Sequence, residues 1–284
     1  MPFRPKLVAL DIDGTLVDGF GVMPPEVRAA VRRVVAAGVP VVLATGRSWL
    51  ATQVVFEELG LPPGWAVSSN GAMVVTYPPF EVKAESRFDP GPVVHKVAEL
   101  APHALIAVQD GIDWRVNRAF PEGELWGEVF VESLEALASR EVSRVIVRDP
   151  DSNEETFKAL VEQLGLHEVS YFIGWSAWLD IAPQGVDKAH GLSVVCAQLG
   201  ISRKDVLAFG DGRNDIEMLA WAGRGVAMGD APAEVKLAAD AVALRFDEGG
   251  LVPELSAWFP GEPGLSHLDN QRRSNPCEPA ASAQ

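Results

Sequence analysis

Short apolar runs alternate with helical patterns at the start of this 284-residue sequence, and this alternation limits the chain to few folds. Lys6–Ile12 and Val39–Ala44 are apolar runs of strand length, typical of buried parallel strands, and Trp65–Ser69 supplies a third short strand. The stretches between them, Pro24–Gly38 and Ser48–Leu59, carry apolar residues at helical spacing. Strand, helix, strand, helix and strand at this spacing predict a parallel α/β sheet with right-handed crossovers.

The middle of the sequence has a different pattern. Within Phe80–Val186, alternating runs such as Val142–Val147 and Val169–Ile173 are combined with two amphipathic helices, Val93–Leu100 and Glu154–Leu164. Clustered strands with helices between them favour an α+β insert over a continuation of the first sheet.

The first pattern returns after this insert, which therefore interrupts one sheet domain. Helices at Ala189–Leu199 and Asp215–Trp221 alternate with strands at Val206–Phe209 and Gly225–Met228. We predict an α/β fold with a parallel-sheet core at residues 1–80 and 186–260, an α+β domain inserted at residues 81–185, and a tail at residues 261–284. The tail is rich in Pro, Ser, Asn and Ala without periodicity, which predicts disorder.

The charge balance disfavours nucleic acid as a partner. The 39 Asp and Glu residues exceed the 24 Lys and Arg residues and give a formal net charge of −15. A negative field of this kind repels polyanions. A phosphate ester meets the same repulsion, so any phosphate site needs a metal ion or a few well-placed cations.

Cysteine content and hydropathy indicate a cytoplasmic protein. The two cysteines, Cys196 in a helical pattern and Cys277 in the polar tail, do not indicate a disulfide framework. The apolar run before Asp11 is too short for a signal sequence, and no uncharged stretch approaches the length of a bilayer span. We expect a reducing compartment and no membrane partner, while the sequence leaves the oligomeric state open.

Two acids follow the first strand, in the segment Asp11-Ile12-Asp13-Gly14-Thr15. If the strand continued, its period of two would place both carboxylates on the same side. Two carboxylates about 4 Å apart repel each other by about 4 kcal/mol at an effective dielectric constant of about 20, so the pair needs a cation to stay ionised. Mg²⁺ suits such an all-oxygen site. The alternative is an ordinary turn with solvated acids.

A second acidic segment, Gly210–Asp215, follows a later strand and begins a helix. Ligands in open parallel sheets bind beyond the carboxyl ends of the strands, so Asp211 and Asp215 would reach the same edge as the first pair. Asn214 could donate to a phosphate oxygen at the helix N-terminus. Helix capping by Asp211 or Asn214 is the alternative, and it does not exclude metal binding.

Two further segments offer groups for phosphate. Thr45, Gly46 and Arg47 follow a strand and supply a hydroxyl, exposed backbone N–H groups and a guanidinium. Lys188 begins the helix after the insert, where a cation is unfavourable against the helix dipole, so its position needs a reason. An ordinary loop and a solvated surface lysine are the alternatives.

Together the four segments predict a phosphoryl-transfer site. A metal ion and Lys188 would offset the acids and stabilise the transferring phosphoryl group. One carboxylate would attack phosphorus to form an aspartyl-phosphate, and its neighbour would handle protons. The predicted cofactor is therefore Mg²⁺, and the predicted partner is a small phosphorylated metabolite.

In this order, the four segments resemble the signature motifs of the haloacid dehalogenase (HAD) superfamily over about residues 6–258. The resemblance implies a Rossmann-like HAD core in which Asp11 is the nucleophile and Asp13 the general acid and base. It also implies a metal held by the Asp11 side chain and the Asp13 backbone carbonyl. The other implied contacts are Thr45, Gly46, Lys188 and Asn214 for phosphate, and Asp211 and Asp215 for the metal, with Asp211 as the direct ligand.

Three shorter stretches resemble the Cof-type branch of this superfamily, whose type IIB α+β cap lies between the second and third motifs. They are Ser69–Ala72, Gly185–Lys188 and Val226–Gly229. Two positions depart from the branch: Asp230 stands where Asn is usual, and Gly249 where Asp is usual. The resemblance implies a phosphatase whose cap selects the substrate, with sugar phosphates as the expected class. The expected substrate contacts are Arg47, Asn70, Arg118 and Asp180.

Other functions remain open on these residues. A phosphomutase of the same fold would share all four motifs but exclude water from the phospho-enzyme. A noncatalytic sensor of Mg²⁺ and a phosphorylated ligand is disfavoured by the intact pair of Asp11 and Asp13, and a dinucleotide-dependent oxidoreductase by the lack of G-x-G-x-x-G after the first strand. Tryptophans of the insert such as Trp114, Trp126 and Trp178 are interpreted as core, with an aromatic wall against a sugar ring as the alternative.

Overall fold

The computed structural model describes residues 3–149, 154–164, 169–173 and 178–260. In chain order its strands are β1 (Leu7–Leu10), β2 (Val41–Ala44), β3 (Gly64–Ser68), β4 (Met73–Tyr77), β5 (Glu81–Glu85), β6 (Leu105–Asp110), β7 (Asp113–Val116), β8 (Val129–Val131), β9 (Arg144–Arg148), β10 (Val169–Ile173), β11 (Trp178–Pro183), β12 (Val206–Gly210), β13 (Arg224–Ala227) and β14 (Ala241–Val242). Its α-helices are α1 (Pro25–Ala36), α2 (Trp49–Leu59), α3 (Gly91–Leu100), α4 (Leu134–Leu137), α5 (Glu154–Leu164), α6 (Lys188–Leu199), α7 (Ile216–Trp221), α8 (Ala233–Ala238) and α9 (Val252–Trp258).

The first sheet has eight strands in the order β14, β13, β12, β1, β2, β3, β4, β5. The pairs from β14 to β3 are parallel, whereas β4 and β5 are added antiparallel at one edge. This sheet confirms the predicted fold class, a parallel sheet formed by both ends of the chain. The two antiparallel edge strands were not predicted.

Helices cover both faces of the first sheet, which explains why β1 is apolar at every position. Val8 and Leu10 face one side and pack with α1, α2 and α9, whereas Leu7 and Ala9 face the other and pack with α6, α7 and α8. All four side chains are fully buried. A strand buried on both faces has apolar residues at every position, so the continuous apolar run in the sequence correctly indicated a buried parallel strand.

The predicted strand Lys6–Ile12 ends earlier in the structure, at Leu10. The backbone carbonyl of Ile12 accepts hydrogen bonds from the N–H groups of Thr15, Leu16 and Val17 and so closes a turn instead of continuing the sheet. Asp11 and Asp13 therefore lie in a loop, and the expectation that strand geometry places them on one side is wrong.

The second sheet has six strands in the order β10, β11, β9, β6, β7, β8, all paired antiparallel except β7 with β8. One face packs against helices, with Val145 and Val147 of β9 beside Leu179 and Ile181 of β11 in that core. This sheet and its helices confirm the predicted α+β insert as a fold. The boundaries at residues 80 and 185 stay predictions, and β5, just beyond the first of them, pairs with the first sheet.

The predicted disordered tail at residues 261–284, with Cys277, lies outside the described residues. Within the described ranges, no helix combines the length and apolar character needed to cross a bilayer.

Candidate active site

The predicted site residues follow the carboxyl ends of neighbouring strands. Asp11 follows β1, Thr45 follows β2 and Asp211 follows β12, and these three strands are adjacent in the sheet. Lys188 is the first residue of α6, where Asp187 caps the helix by accepting a hydrogen bond from the His190 N–H at 2.8 Å. The topology thus brings four distant segments to one edge, as ligand sites in such sheets require.

A buried lysine lies between two carboxylates at this edge. Lys188 Nζ donates to Asp11 Oδ1 and to Asp215 Oδ1, each at 2.6 Å. Lys188 and Asp215 are fully buried and Asp11 is 5% exposed. Carboxylate oxygens of Asp11, Asp211 and Asp215 all lie within 4.8 Å of one another. One ammonium group therefore faces three acids, which leaves two negative charges uncompensated when all three are ionised.

This crowding changes the proton affinities of the cluster. Burial, followed by the charge of Asp215, raises the pKa of Asp11 well above its usual range, although Lys188 opposes the shift. The same causes raise the pKa of Asp211 to about 6. Burial lowers the pKa of Lys188, but the charges of Asp11 and Asp215 outweigh it, so the net shift is upward. The cluster therefore combines a charged lysine with two carboxyl groups that burial and mutual repulsion make easier to protonate.

Asp211 and Asp215, the two acids of the segment Gly210–Asp215, have different hydrogen-bond partners. Asp215 Oδ2 accepts hydrogen bonds from the backbone N–H groups of Asp211 at 3.0 Å and Gly212 at 2.9 Å, while its other oxygen binds Lys188. Both oxygens of Asp215 are thus occupied by protein donors. Asp211 accepts a long hydrogen bond of 3.4 Å from Thr15 Oγ1 and also interacts with the Asp11 carboxyl, so its carboxylate is held less tightly than that of Asp215 and is the more available of the two for a ligand.

A glycine is needed at position 14 for two reasons, its own backbone conformation and the nearby Asp211 carboxylate. Its φ is +80°, and a Cβ atom built on it would lie 2.3 Å from Asp211 Oδ2. A side chain at this position would displace the acid and strain the turn. The glycine after the first pair of acids therefore lets the loops after β1 and β12 approach each other.

Asp13 faces away from the buried cluster and towards Arg47. The guanidinium donates from Nε to Asp13 Oδ2 at 2.9 Å and from Nη2 to Oδ1 at 2.6 Å. The side chain of Asp13 is 59% exposed, and both residues line the same cavity as Asp11. The first two acids thus occupy different environments, one buried beside a lysine and one exposed beside an arginine.

Thr45 and Asn214 present donors to the cavity. Thr45 Oγ1 accepts a hydrogen bond from the Arg47 N–H at 3.1 Å, which leaves its own hydroxyl proton free to donate. Asn214 Nδ2 donates to Asn70 Oδ1 at 2.9 Å and keeps a second N–H. Gly46 lies between them, and a Cβ atom there would be 3.1 Å from Asn70 Oδ1.

The segment after β3 connects the first sheet to the second. Ser69 and Asn70 have φ of 50° and 51°, an uncommon conformation for residues other than glycine. Ser69 Oγ donates to Gln109 Oε1 at 2.8 Å, and Asn70 Nδ2 donates to Asp180 Oδ2 at 2.7 Å. Gln109 lies on β6 and Asp180 on β11, so both bonds join the sheets. Backbone strain of this kind is found where surrounding structure holds a functional segment in place.

Asp180 and Arg118, the two substrate contacts predicted in the insert, differ in where the structure places them. Asp180 lines the cavity but is held in a buried pair with Arg144, whose Nε and Nη2 bind its two oxygens at 2.6 and 2.5 Å. Arg118 is not brought to the cavity, because its Nη2 donates to the backbone carbonyls of Pro102 at 3.2 Å and Ala104 at 3.0 Å. The sequence reasoning missed Arg144, although a charged residue inside the apolar run of β9 was a usable signal.

A cavity of about 710 Å³ lies between the two sheets. The predicted residues that line it are Asp11, Asp13, Thr45, Gly46, Arg47, Asn70, Asp180, Asp211 and Asn214. Lys188 and Asp215 lie behind the cavity surface and contact its lining from within. A volume of this size accommodates a small metabolite together with its phosphate.

Comparison with known proteins is consistent with this site. A family profile described as haloacid dehalogenase-like hydrolase matches residues 8–255. The chain is 30% identical to the HMP-PP phosphatase of Serratia proteamaculans over 241 residues, covering 81% of this chain and 86% of that one. It is 25% identical to the 5-amino-6-(5-phospho-D-ribitylamino)uracil phosphatase YitU of Bacillus subtilis, covering 91% and 99% of the two chains.

Solved structures show the same architecture. A haloacid dehalogenase-like hydrolase from Bacteroides thetaiotaomicron superposes with a TM-score of 0.76 at 26% identity, covering 90% of this chain and all of that one. A HAD subclass IIB sugar phosphatase superposes with a TM-score of 0.76 at 25% identity, covering 89% and 98% of the two chains.

Proposed function

The chain belongs to the haloacid dehalogenase-like hydrolases, as its motifs predicted, and from this membership we propose that it is a Mg²⁺-dependent phosphatase of small phosphomonoesters. The observation that carries the proposal is the group of Asp11, Asp211 and Asp215 around the buried Lys188, at the base of a cavity shared by both sheets. Several relatives are named as phosphatases of small phosphorylated metabolites, which supports this reaction class.

The residues of the cluster fit a hard divalent cation. All available ligand atoms are oxygens, and burial and the neighbouring acids raise the pKa values of Asp11 and Asp211. The hydrogen bond from Thr15 to the Asp211 carboxylate is long, at 3.4 Å, so this carboxylate can turn towards an ion. We propose that Asp11, Asp211 and the backbone carbonyl of Asp13 hold Mg²⁺, while Asp215 positions Asp211. When bound, the ion supplies positive charge that neutralises these acids and the phosphoryl oxygens.

Asp11 is the proposed nucleophile. One of its carboxylate oxygens forms a bond to phosphorus, and the ester P–O bond breaks with its electron pair on the alcohol oxygen. Asp13, in its protonated form, gives its proton to that oxygen. Asp13 then takes a proton from the water that attacks the aspartyl-phosphate, which releases inorganic phosphate and restores Asp11. A cation beside Asp11 would keep its carboxylate ionised for this attack, and the exposed position of Asp13 in the same cavity gives it access to water and to the ester.

The remaining groups bind the phosphate. Lys188 keeps its charge beside Asp11, Thr45 has a hydroxyl proton to donate, and Asn214 has a second amide N–H with no acceptor in the part of the chain that the structure describes. Donors fixed in advance by hydrogen bonds to other residues stabilise developing charge without reorganising. Arg47 holds Asp13 and, from the same cavity wall, is also available to the ester.

A panel of phosphomonoesters, including sugar phosphates, tests the proposal. With Mg²⁺, we expect release of inorganic phosphate from at least one ester, abolished by EDTA and restored by added Mg²⁺. Asp11→Asn should keep the fold and lose turnover. Undiminished hydrolysis by this variant or in EDTA would remove the mechanism, and isomer formation without phosphate release would identify a phosphomutase instead.

A further inference from the structure

The cavity face of the second sheet changes character along β9. Side chains alternate across a strand, and the odd-numbered Val145 and Val147 pack against helices, so Arg144, Ile146 and Arg148 are on the other face. Arg144 pairs with Asp180 next to the first sheet. Arg148, about 13 Å further along the strand, donates from Nε to Glu124 at 3.3 Å. Polar groups thus occupy both ends of this face.

The stretch between these polar ends is apolar and aromatic. Ile146, Trp114 and Trp178 form one cluster there, and all three line the cavity. Trp114 is almost completely buried, and its Nε1 donates to the backbone carbonyl of Trp126 at 3.0 Å. This bond fixes the loop that carries Trp126, whose side chain lines the cavity mouth and is 49% exposed. A ligand therefore meets mainly apolar side chains over this stretch, and the Arg144 guanidinium lies over the Trp114 ring, 5.8 Å from its centroid.

Such a surface discriminates between kinds of ring. A sugar ring placed against it would bury hydroxyl groups without partners, and each unmade hydrogen bond is costly. A flat heterocycle has apolar faces for the indoles and polar atoms only at its edge. Glu124 also lines the cavity, and its Oε2 is buried without a hydrogen-bond partner among the described residues, so a ring N–H or amino group would supply the donor it lacks.

The loop between β1 and α1 supplies a further aromatic ring to the cavity lining. Phe20 is 95% exposed and lines the cavity mouth. Its turn is closed by Asp18, whose Oδ1 accepts hydrogen bonds from the backbone N–H groups of Phe20 at 2.8 Å and Val22 at 2.9 Å. An aromatic side chain held almost wholly in solvent gains burial when a flat ligand covers it.

We propose that the substrates are phosphomonoesters in which the alcohol, a sugar or another short chain, carries a flat heterocycle that stacks on Trp126 and Trp178. The phosphate lies at Asp11, and the edge of the ring meets Glu124. The inference rests on the proposed phosphatase function and narrows its substrate class, since a sugar phosphate without such a ring leaves the aromatic stretch uncovered.

Matched esters test the ring directly. Cytidine 5′-monophosphate and ribose 5-phosphate differ by the base, and benzyl phosphate and cyclohexylmethyl phosphate differ by the flatness of the ring. We expect kcat/KM to be higher by about tenfold or more for the flat member of each pair, as base stacking on an aromatic side chain contributes in other proteins. Equal kcat/KM values within both pairs would overturn the inference.

Two variants locate the effect. Trp126→Ala should reduce the ratio of kcat/KM between cytidine 5′-monophosphate and ribose 5-phosphate, and Trp126→Phe should restore part of it. Phe130→Ala is the matched control, since Phe130 follows the Trp126 loop on β8 and is 47% exposed, against 49% for Trp126, but does not line the cavity. An unchanged ratio in Trp126→Ala, or an equal loss in Phe130→Ala, would contradict the assignment.

A binding measurement separates this inference from the reaction on which it rests. Cytidine should quench the tryptophan fluorescence of the wild type more strongly than that of Trp126→Ala, and ribose should have no effect. If no ester is hydrolysed, the phosphatase proposal fails, while quenching still tests the ring site. If ribose 5-phosphate is hydrolysed as well as the nucleotide and cytidine does not quench, only the ring site fails.

Discussion

Asn70 donates a hydrogen bond from Nδ2 to Asp180 Oδ2 at 2.7 Å, and this bond joins the loop after β3 to the second sheet. The other end of the same amide accepts from Asn214 at 2.9 Å. One side chain therefore links the buried Arg144–Asp180 pair to the segment proposed to bind phosphate. Its left-handed backbone is one that asparagine tolerates better than most residues.

Substitutions of Asn70 should separate its backbone conformation from its hydrogen bonds. Asn70→Gly accepts the positive φ but loses both bonds, so we expect the free energy of unfolding to fall by about 1–3 kcal/mol for the buried groups left unpaired. Asn70→Asp should cost more, because a carboxylate would face Asp180. Denaturant unfolding measures the change in stability of each variant, and kcat/KM measures the effect on the proposed reaction. Wild-type stability in Asn70→Asp would show that the link is unimportant.

Gly14 and Gly21 provide a matched pair for the contact with Asp211. Their φ values are +80° and +79°, but a Cβ atom would meet Asp211 only at Gly14, whereas at Gly21 it would have no atom within 4 Å. Both alanine variants should show the backbone strain of about 1 kcal/mol. Only Gly14→Ala should also raise the Mg²⁺ concentration needed for half-maximal turnover. An equal effect in both variants would leave backbone strain as the sole role of Gly14.

Asp13→Asn should lower turnover of alkyl phosphates by about 10²–10⁴-fold, because it removes the proposed proton donor and base. The fold should persist, since the side chain is 59% exposed. The loss should be smaller for p-nitrophenyl phosphate, whose leaving group needs no proton at the moment of bond cleavage. Equal losses for both esters in steady-state assays would argue against proton transfer by Asp13.

Lys188→Met should destabilise the metal-free protein. Removing one partner of a buried ion pair leaves unpaired charge and costs about 3–5 kcal/mol. Mg²⁺ should restore part of the loss, because a ligand of the folded state alone stabilises that state. Lys6→Met is the control: Lys6 also pairs with an acid, Asp205, at 2.7 Å, but its side chain is 64% exposed. The free energy of unfolding of both variants is measured in EDTA and in Mg²⁺. Equal losses in the two variants would show that the buried ion pair of Lys188 contributes no more to stability than the exposed one of Lys6.

The sequence predicted the first sheet, and the meeting of the four segments at one edge of it, because both depend on local signals. The apolar run before Asp11 and the acids at Asp211 and Asp215 each mark the end of a strand, and parallel strands end at a common edge. The direction of Asp13 was not predictable from strand periodicity, since the turn closed by the Ile12 carbonyl begins before it.

The residues on the cavity face of the second sheet could not be predicted, because their positions depend on contacts between segments that are far apart in the sequence. Antiparallel register places Asp180 opposite Ile146, and the pair of Arg144 with Asp180 brings Arg144 to the cavity. Arg118 has the same chemistry as Arg144, but nearby backbone carbonyls bind its guanidinium. Residue type alone could not distinguish the two arginines.

The alternation along β9 has a consequence for how such a protein diversifies. Val145 and Val147 pack in the hydrophobic core, whereas Ile146 between them faces the cavity. Mutations at the cavity-facing position can alter which esters are accepted while the valines keep the domain folded. Selection can therefore act on the choice of ester while the packing of this sheet against its helices stays the same.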